Sequence, residues 1–380
     1  MRKITVFYDG TLYTFTWLKV LLWAKKQFKE RGYLIRFETL FEYFPRNALV
    51  FRPLIKDRLD QLLRDTKNRK FDIVILAFHH STSEFMKIEQ SERIEILKKI
   101  KEQSDMVVWL DTADSTGTPH FEVLPYVDRY LKKQILKDIE LYSKPIWGSR
   151  LHCEYYHNKY GLDDAEICDE TFIPLNMDYK DKIGVSWNVG LGELFGNEFW
   201  RYLYPYHYHV PKPISPESEK SIDIHFRGSA ESTTAGYQRR ITAKRINECQ
   251  FLNHPDASEK VSHDKYVEEL KETKCIVSPF GYGEICTRDF ETFLYGATLI
   301  KADMSHMITY PDVYIPNETY VPVDWDYHTF EDVLLQIRDS SEKFKTIAEN
   351  GQTLYMKHLS DEGKKLFAEH LLGEIFDKGE

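Results

Sequence analysis

The chain has 380 residues and a net charge of -9, with 42% hydrophobic and 29% charged residues, which fits a folded globular protein of two or three domains. The negative balance speaks against a nucleic-acid-binding surface, which needs a cationic face, and no apolar run is long enough to cross a bilayer. Five scattered cysteines (Cys153, Cys168, Cys249, Cys275, Cys286), without a C-x-x-C pair, argue against a disulfide framework or zinc knuckle and favour a reducing cytoplasm. The opening MRKITVFYDG lacks a long apolar stretch and goes directly into a strand pattern at residues 3–8, so it is not expected to be a signal peptide. A helix follows over 15–30, stopped by Gly32, then a strand over 33–40, a helix over 52–64 and a buried strand, FDIVILAF, over 71–78. A helix at 92–103 and the strand DMVVWL at 105–110 complete an alternation that implies a parallel, doubly wound sheet.

Further on, 121–130 carries the strand-like FEVLPYV and 132–142 a short basic helix, while 152–160 is expected to be a Tyr- and His-rich loop. Segments 172–175 and 183–187 are expected to lead out of the sheet, and PKPISPESEK at 211–220 has the composition of a linker. After it a second sheet begins with SIDIHF at 221–226, followed by a basic helix at 237–247, a short strand at 250–253 and a helix at 263–273. The most telling stretch is CIVSPFGYGEICTRDFETFLYGATLIKAD at 275–303: a strand, a turn with Gly281, Tyr282 and Gly283, a helix over 285–295, a Gly296 stop and another strand. The spacing of Glu284, Arg288 and Glu291 places all three on one helix face, where an arginine between carboxylates suits a diphosphate flanked by sugar hydroxyls. Helices over 330–339, 341–351 and 361–375 end the chain.

The small turn, the R-x-F-E sequence and the Gly before an apolar strand resemble the donor-binding segment of GT-B glycosyltransferases, near the exostosin-like and group 1 families. The specific part spans about thirty residues. Glu284 and Glu291 are seven apart, one short of the spacing in the retaining families, so inverting and retaining chemistry both stay open. The resemblance implies an α/β fold of two Rossmann-like domains facing a central cleft, with an acceptor domain at 1–217, a nucleotide-sugar donor domain at 218–360 and a helix at 361–380 packing back on the first domain. It further implies sugar transfer from a nucleotide-sugar to a hydroxyl of a glycan or glycolipid in polysaccharide, glycolipid or glycoprotein synthesis. A sugar-nucleotide epimerase or hydrolase of the same fold, or a non-catalytic sugar-nucleotide-binding protein, are the alternatives. No cofactor, essential metal or nucleic-acid partner is expected; peripheral contact with a membrane is compatible with such a chain.

In doubly wound sheets ligands lie beyond the carboxyl ends of the strands. There the chain places His79 and His80 after one strand, and Asp111 and Asp114 after the next. An acceptor base would come from these four, Asp114 first, although either aspartate serves equally well as a turn cap. Arg227 and Gly228 end the first strand of the second sheet and are expected to contact the diphosphate, with Arg239 on the following helix as a further phosphate ligand or a solvated arginine. His207 and His209 alternate along YHYHVP but lack a third ligand for zinc.

Overall fold

The computed structural model describes residues 1–9, 11–39, 71–79, 83–163, 172–192, 208, 210, 212–228 and 233–376. The helix expected at 52–64, His80, His207 and His209 lie outside the described residues.

The first half is built on β1 (Arg2–Tyr8), β2 (Tyr33–Thr39), β3 (Phe71–Phe78), β4 (Ser104–Asp111), β5 (Arg129–Lys132), β6 (Gln134–Leu136) and β7 (Ile183–Val185). Six of these strands form a sheet in the order β2-β1-β3-β4-β5-β7, every pairing parallel. Ile73 to Phe78 are at most 1% exposed, which explains why β3 is a continuous apolar run: a parallel strand covered on both faces has no polar side to present. Helices α1 (Leu12–Trp23), α2 (Lys25–Glu30), α3 (Gln90–Glu102) and α4 (Leu151–Tyr160) belong to this half.

The second half has β8 (Ile222–His225), β9 (Thr273–Val277), β10 (Thr298–Ala302), β11 (Met307–Thr309) and β12 (Tyr320–Val323), the sheet being β12-β10-β9-β8 and again parallel. Its helices are α5 (Tyr237–Glu248), α6 (His263–Lys271), α7 (Thr287–Leu294), α8 (Phe330–Asp339), α9 (Ser341–His358) and α10 (Asp361–Phe376). The chain thus has two Rossmann-like α/β units. They are joined by an antiparallel ribbon in which β11 pairs with β6, and α10 crosses to the first half, where Phe367 meets the rings of Phe28 and Trp187.

Five sequence expectations change. Residues 121–126 form a 3-10 turn with Pro125 inside it, and the strand begins only at Arg129, because proline cannot donate to a ladder. The basic helix expected at 132–142 is instead the end of β5, then β6 and a second 3-10 turn, since Lys132 and Lys133 are not solvated but buried to 0% and 2% exposure. The expected loop at 152–160 is helix α4, capped by Gly161 at φ 63 and held by rings, with Tyr156 packed at a tilt against Tyr237 at 4.4 Å between centroids. Residues 250–253 form no strand; the Asn253 carbonyl accepts from Asp223 N–H at 2.8 Å. Segment 183–185 does not leave the sheet but closes its edge as β7.

Candidate functional site

The carboxyl ends of the two sheets face each other across a tight contact. The turn after β9 meets the loop after β4 so closely that a Cβ on Gly283 would lie 2.1 Å from the Asp114 carbonyl oxygen. A Cβ on Gly281 would lie as close to the end of the Arg239 side chain, which can swing aside, so it is Gly283, pressed on backbone, that is required by approach rather than by backbone angle. Glu284 is fully buried in this contact. It accepts from Ser115 Oγ at 3.0 Å, from Thr116 N–H at 3.1 Å and from Thr116 Oγ1–H at 2.7 Å. Because α7 starts at Thr287, Glu284 does not share a helix face with Arg288 and Glu291. Its carboxylate joins the two halves, and is not presented to a sugar as the spacing predicts.

His152 and His306 lie beside this carboxylate. Burial pushes His152 down to about 4 and His306 below its ordinary value. Burial works to raise Glu284, but the two imidazoles and Thr116 outweigh it and hold the carboxyl below its usual range. All three shifts have the same sign for stability: a group that binds protons less readily when folded contributes stability above its ordinary pKa and loses it as pH falls. The melting temperature should therefore decline as pH drops from about 6.5 towards 4, and His152→Phe should decline less steeply in a scanning-calorimetry series. Parallel slopes for the two proteins would contradict the assignment of His152 to this loss.

In the second half, Arg227 is not available to a diphosphate. Its Nε and Nη2 donate to Glu269 at 2.6 and 2.8 Å, and Nη1 donates to the carbonyls of Asp256 and Glu259. Arg288 is the contrasting case. It donates from Nη2 to the Arg227 carbonyl at 2.6 Å and lies over the Phe226 ring, yet its Nε and Nη1 are buried without a partner. Gly228 lies against it, a Cβ there coming within 3.5 Å of Nη2. One turn along α7, Glu291 accepts from the Tyr266 hydroxyl at 2.9 Å, and burial raises its pKa. The start of α7 is rigid: Asp289 caps the Cys286 N–H and holds both Lys301 at 3.1 Å and the Tyr314 hydroxyl at 2.7 Å. Arg239 Nε is also buried without a partner. Tyr282 is 52% exposed, its carbonyl accepting from Arg150 Nε at 2.5 Å.

In the first half the two aspartates separate. Asp111 is buried and fully engaged, accepting from Lys132 Nζ at 3.2 Å, Ala113 N–H at 2.8 Å and the Tyr130 hydroxyl. Burial alone would raise its carboxyl, but Lys132 outweighs that and holds it far below the carboxylate range, so Asp111 is a fixed charge and not a base. Asp114 has a side chain 43% exposed and accepts from Lys133 Nζ at 2.8 Å. His79 is close by: burial lowers its pKa, and Asp9, Lys133 and Asp114 all act on it. Its ring meets Tyr13 edge-on at 4.9 Å, and Lys133 lies 5.8 Å from the centroids of Tyr13 and Trp17.

Two members of this cluster escape sequence reasoning. Asp9 looks like a turn residue, yet it is buried and accepts from the Thr11 and Thr14 hydroxyls and from His79 N–H at 2.7 Å, tying β1, α1 and β3 together. Lys133 looks like a solvated lysine; the only hint in the sequence is a basic pair directly after the apolar RYL.

Donor atoms of Asp324, Asp326 and His328 come within 4.8 Å of one another, but Asp326 already accepts from Tyr155, Tyr160 and Lys159. That carboxylate is committed to protein contacts.

No family model and no curated protein matches the chain. Among solved structures, a glycosyltransferase from Rickettsia africae ESF-5 is similar at 10% identity over 100% of this chain and 99% of its own, with a TM-score of 0.45. Anabaena Alr3699/HepE in complex with UDP-glucose is similar at 9% identity over 98% and 100%, with a TM-score of 0.44. A UDP-N-acetylglucosamine 2-epimerase, described as putative, from Listeria monocytogenes is similar at 10% identity over 94% and 95%, with a TM-score of 0.42.

Proposed function

We propose that the chain is a glycosyltransferase that moves a sugar from a nucleotide-sugar donor to a hydroxyl of a glycan or glycolipid acceptor, in the cytoplasm. The observation that carries this reading is Arg288: a buried guanidinium with two unpartnered nitrogens, beside Gly228 and in the first turn of α7, beyond the strand ends of a parallel sheet. Buried N–H donors left without acceptors are costly, and a diphosphate supplies acceptors for both along with a countercharge. Arg239, with a buried unpartnered Nε against Gly281, is the second donor to that group. Glu291, oriented by Tyr266, would accept from a ribose or hexose hydroxyl.

Departure of the nucleoside diphosphate builds negative charge on its phosphates, and guanidiniums already in place stabilise that charge without reorganisation. Leaving-group stabilisation is therefore assigned to Arg288 and Arg239. Across the cleft Asp114, paired with Lys133, or His79, kept neutral by burial, would take the acceptor proton.

The test is product analysis with isotope-labelled nucleotide sugars and oligosaccharide or glycolipid acceptors. Label recovered in the acceptor supports transfer. Label returned as an altered nucleotide sugar identifies an epimerase, label released as free sugar a hydrolase, and bound label without turnover a sugar-nucleotide-binding protein.

A further inference from the structure

On the opposite side of the second sheet, at the amino ends of β9 and β10, a cavity of about 630 Å³ opens between segment 216–221 and the helices α8 and α9. Lys220, Cys275, Thr298 and Phe344 line it. Lys220 is half-buried and its Nζ donates to two backbone carbonyls, Thr273 O at 3.0 Å and Tyr295 O at 2.5 Å. Among the described residues it forms no ion pair with a carboxylate, whereas the buried Lys132, Lys133 and Lys301 hold Asp111, Asp114 and Asp289. The neighbouring lysines at the cavity are also paired, Lys345 with Glu217 at 2.6 Å and Lys274 with Asp223 at 2.8 Å.

The donor count matters here. An ammonium carries three N–H groups and a neutral amine two, so two carbonyls satisfy the amine completely and leave its lone pair without a protein partner. We infer that Lys220 is a site of covalent acylation by small activated acyl donors such as acyl phosphates, its amine being held by two carbonyls at the wall of this cavity. Burial pushes its pKa down to about 8, with Cys275 and Glu272 pulling weakly upward, so a substantial share is neutral near physiological pH. Cys275 lines the same cavity but does not compete, because burial pushes its thiol up to about 12.

In the reaction the Nζ lone pair attacks the acyl carbon, a C–N bond forms, the C–O bond to phosphate breaks, and phosphate leaves with that electron pair and takes one amine proton. The resulting amide keeps a single N–H. One of the two carbonyl bonds must then be lost, either to the first residue of β9 or to Tyr295, the C-cap of α7, whose other end carries Arg288. Acylation at Lys220 would thus loosen the connection between the inter-sheet segment and the candidate donor unit.

The experiment uses the intact protein and acetyl phosphate at pH 7.5, with acetylation followed at each lysine by peptide mass spectrometry over time. Lys220 should be acetylated on the order of tenfold faster than the exposed Lys26, the gain in neutral fraction exceeding the loss in nucleophilicity that accompanies a lower pKa. Lys182 is the internal comparison. Its Nζ also donates to two carbonyls, those of Leu124 and Val127, and burial lowers its pKa too, but it lies 4.8 Å from the Tyr179 ring centroid and does not line the cavity at Lys220, so it should be slower than Lys220. The preference for Lys220 should vanish in guanidinium-unfolded protein. Labelling of Lys220 no faster than Lys26, or the same preference after unfolding, would overturn the inference.

Discussion

Lys132→Met should destabilise the protein by about 3 to 5 kcal/mol at neutral pH, the cost of leaving a buried charge without its partner. The Lys132 ammonium donates to Asp111 at 3.2 Å, to Ala113 O at 3.0 Å and to Thr118 O at 3.4 Å, and it is 0% exposed, so water cannot replace it. Methionine fills much of the same volume, which separates the loss of charge from the opening of a cavity. Without Lys132 the Asp111 carboxyl binds a proton more readily in the folded state than in the unfolded chain. The penalty should therefore be largest at pH 7 and above and should shrink as the pH falls through the raised carboxyl pKa. Adding Asp111→Asn should recover part of the loss, because it removes the stranded charge. Denaturant titrations of the single and double variants check this. A loss below about 1 kcal/mol for Lys132→Met would mean that the pair is far better solvated than its burial implies.

Asp114→Asn should leave nucleotide affinity unchanged and reduce turnover by about 10² to 10⁴, the range expected when a general base is removed. Asp114 is the exposed carboxylate of the first half's crevice and is paired with Lys133. His79→Gln is the competing variant. Its imidazole is held below the ordinary 6.5 by burial, with Lys133 acting in the same direction against Asp9 and Asp114. If His79 is the base, kcat/KM should stay level down to about 6.5 and fall only below it, as the imidazole becomes protonated. If Asp114 is the base, protonation of His79 should not matter, and His79→Gln should leave the pH profile unchanged. Asp111→Asn should lower the melting temperature and leave the rate per folded molecule nearly intact, since its carboxylate is bound on every side by Lys132, Tyr130 and Ala113. Should neither Asp114→Asn nor His79→Gln lose turnover, the base lies outside this crevice.

The parallel strands were legible because burial on both faces writes itself as runs such as FDIVILAF, and the βαβ unit around α7 was legible because Gly281, Gly283 and Gly296 punctuate it. Gly296 does take a positive φ of 60. Buried charge was not legible. A lysine or arginine in a sequence looks solvated or ligand-facing, and what decides otherwise is a partner far along the chain: Asp111 is 21 residues from Lys132, and Glu269 is 42 from Arg227. The same holds for Glu284, whose spacing to Arg288 suggested a shared helix face while its actual partner, Thr116, is 168 residues away. Helix α4 was missed because LHCEYYHNKY has no clean apolar stripe; its rings pack against Tyr237 and Trp325 from the other half, a contact that no local pattern encodes. Arg288 was legible as a candidate by type and place, but its difference from Arg227, whose guanidinium is taken up by Glu269, required the geometry.

If Arg288 holds the diphosphate of a nucleotide-sugar, calorimetric titration of nucleoside diphosphates into the protein and its Arg288→Met variant will show it. Circular dichroism and melting curves establish that the variant is folded. The natural chain should bind at least one nucleoside diphosphate, and the variant should lose about 1.5 to 3 kcal/mol, roughly tenfold to a hundredfold in affinity. Equal affinity in a folded Arg288→Met protein would contradict it.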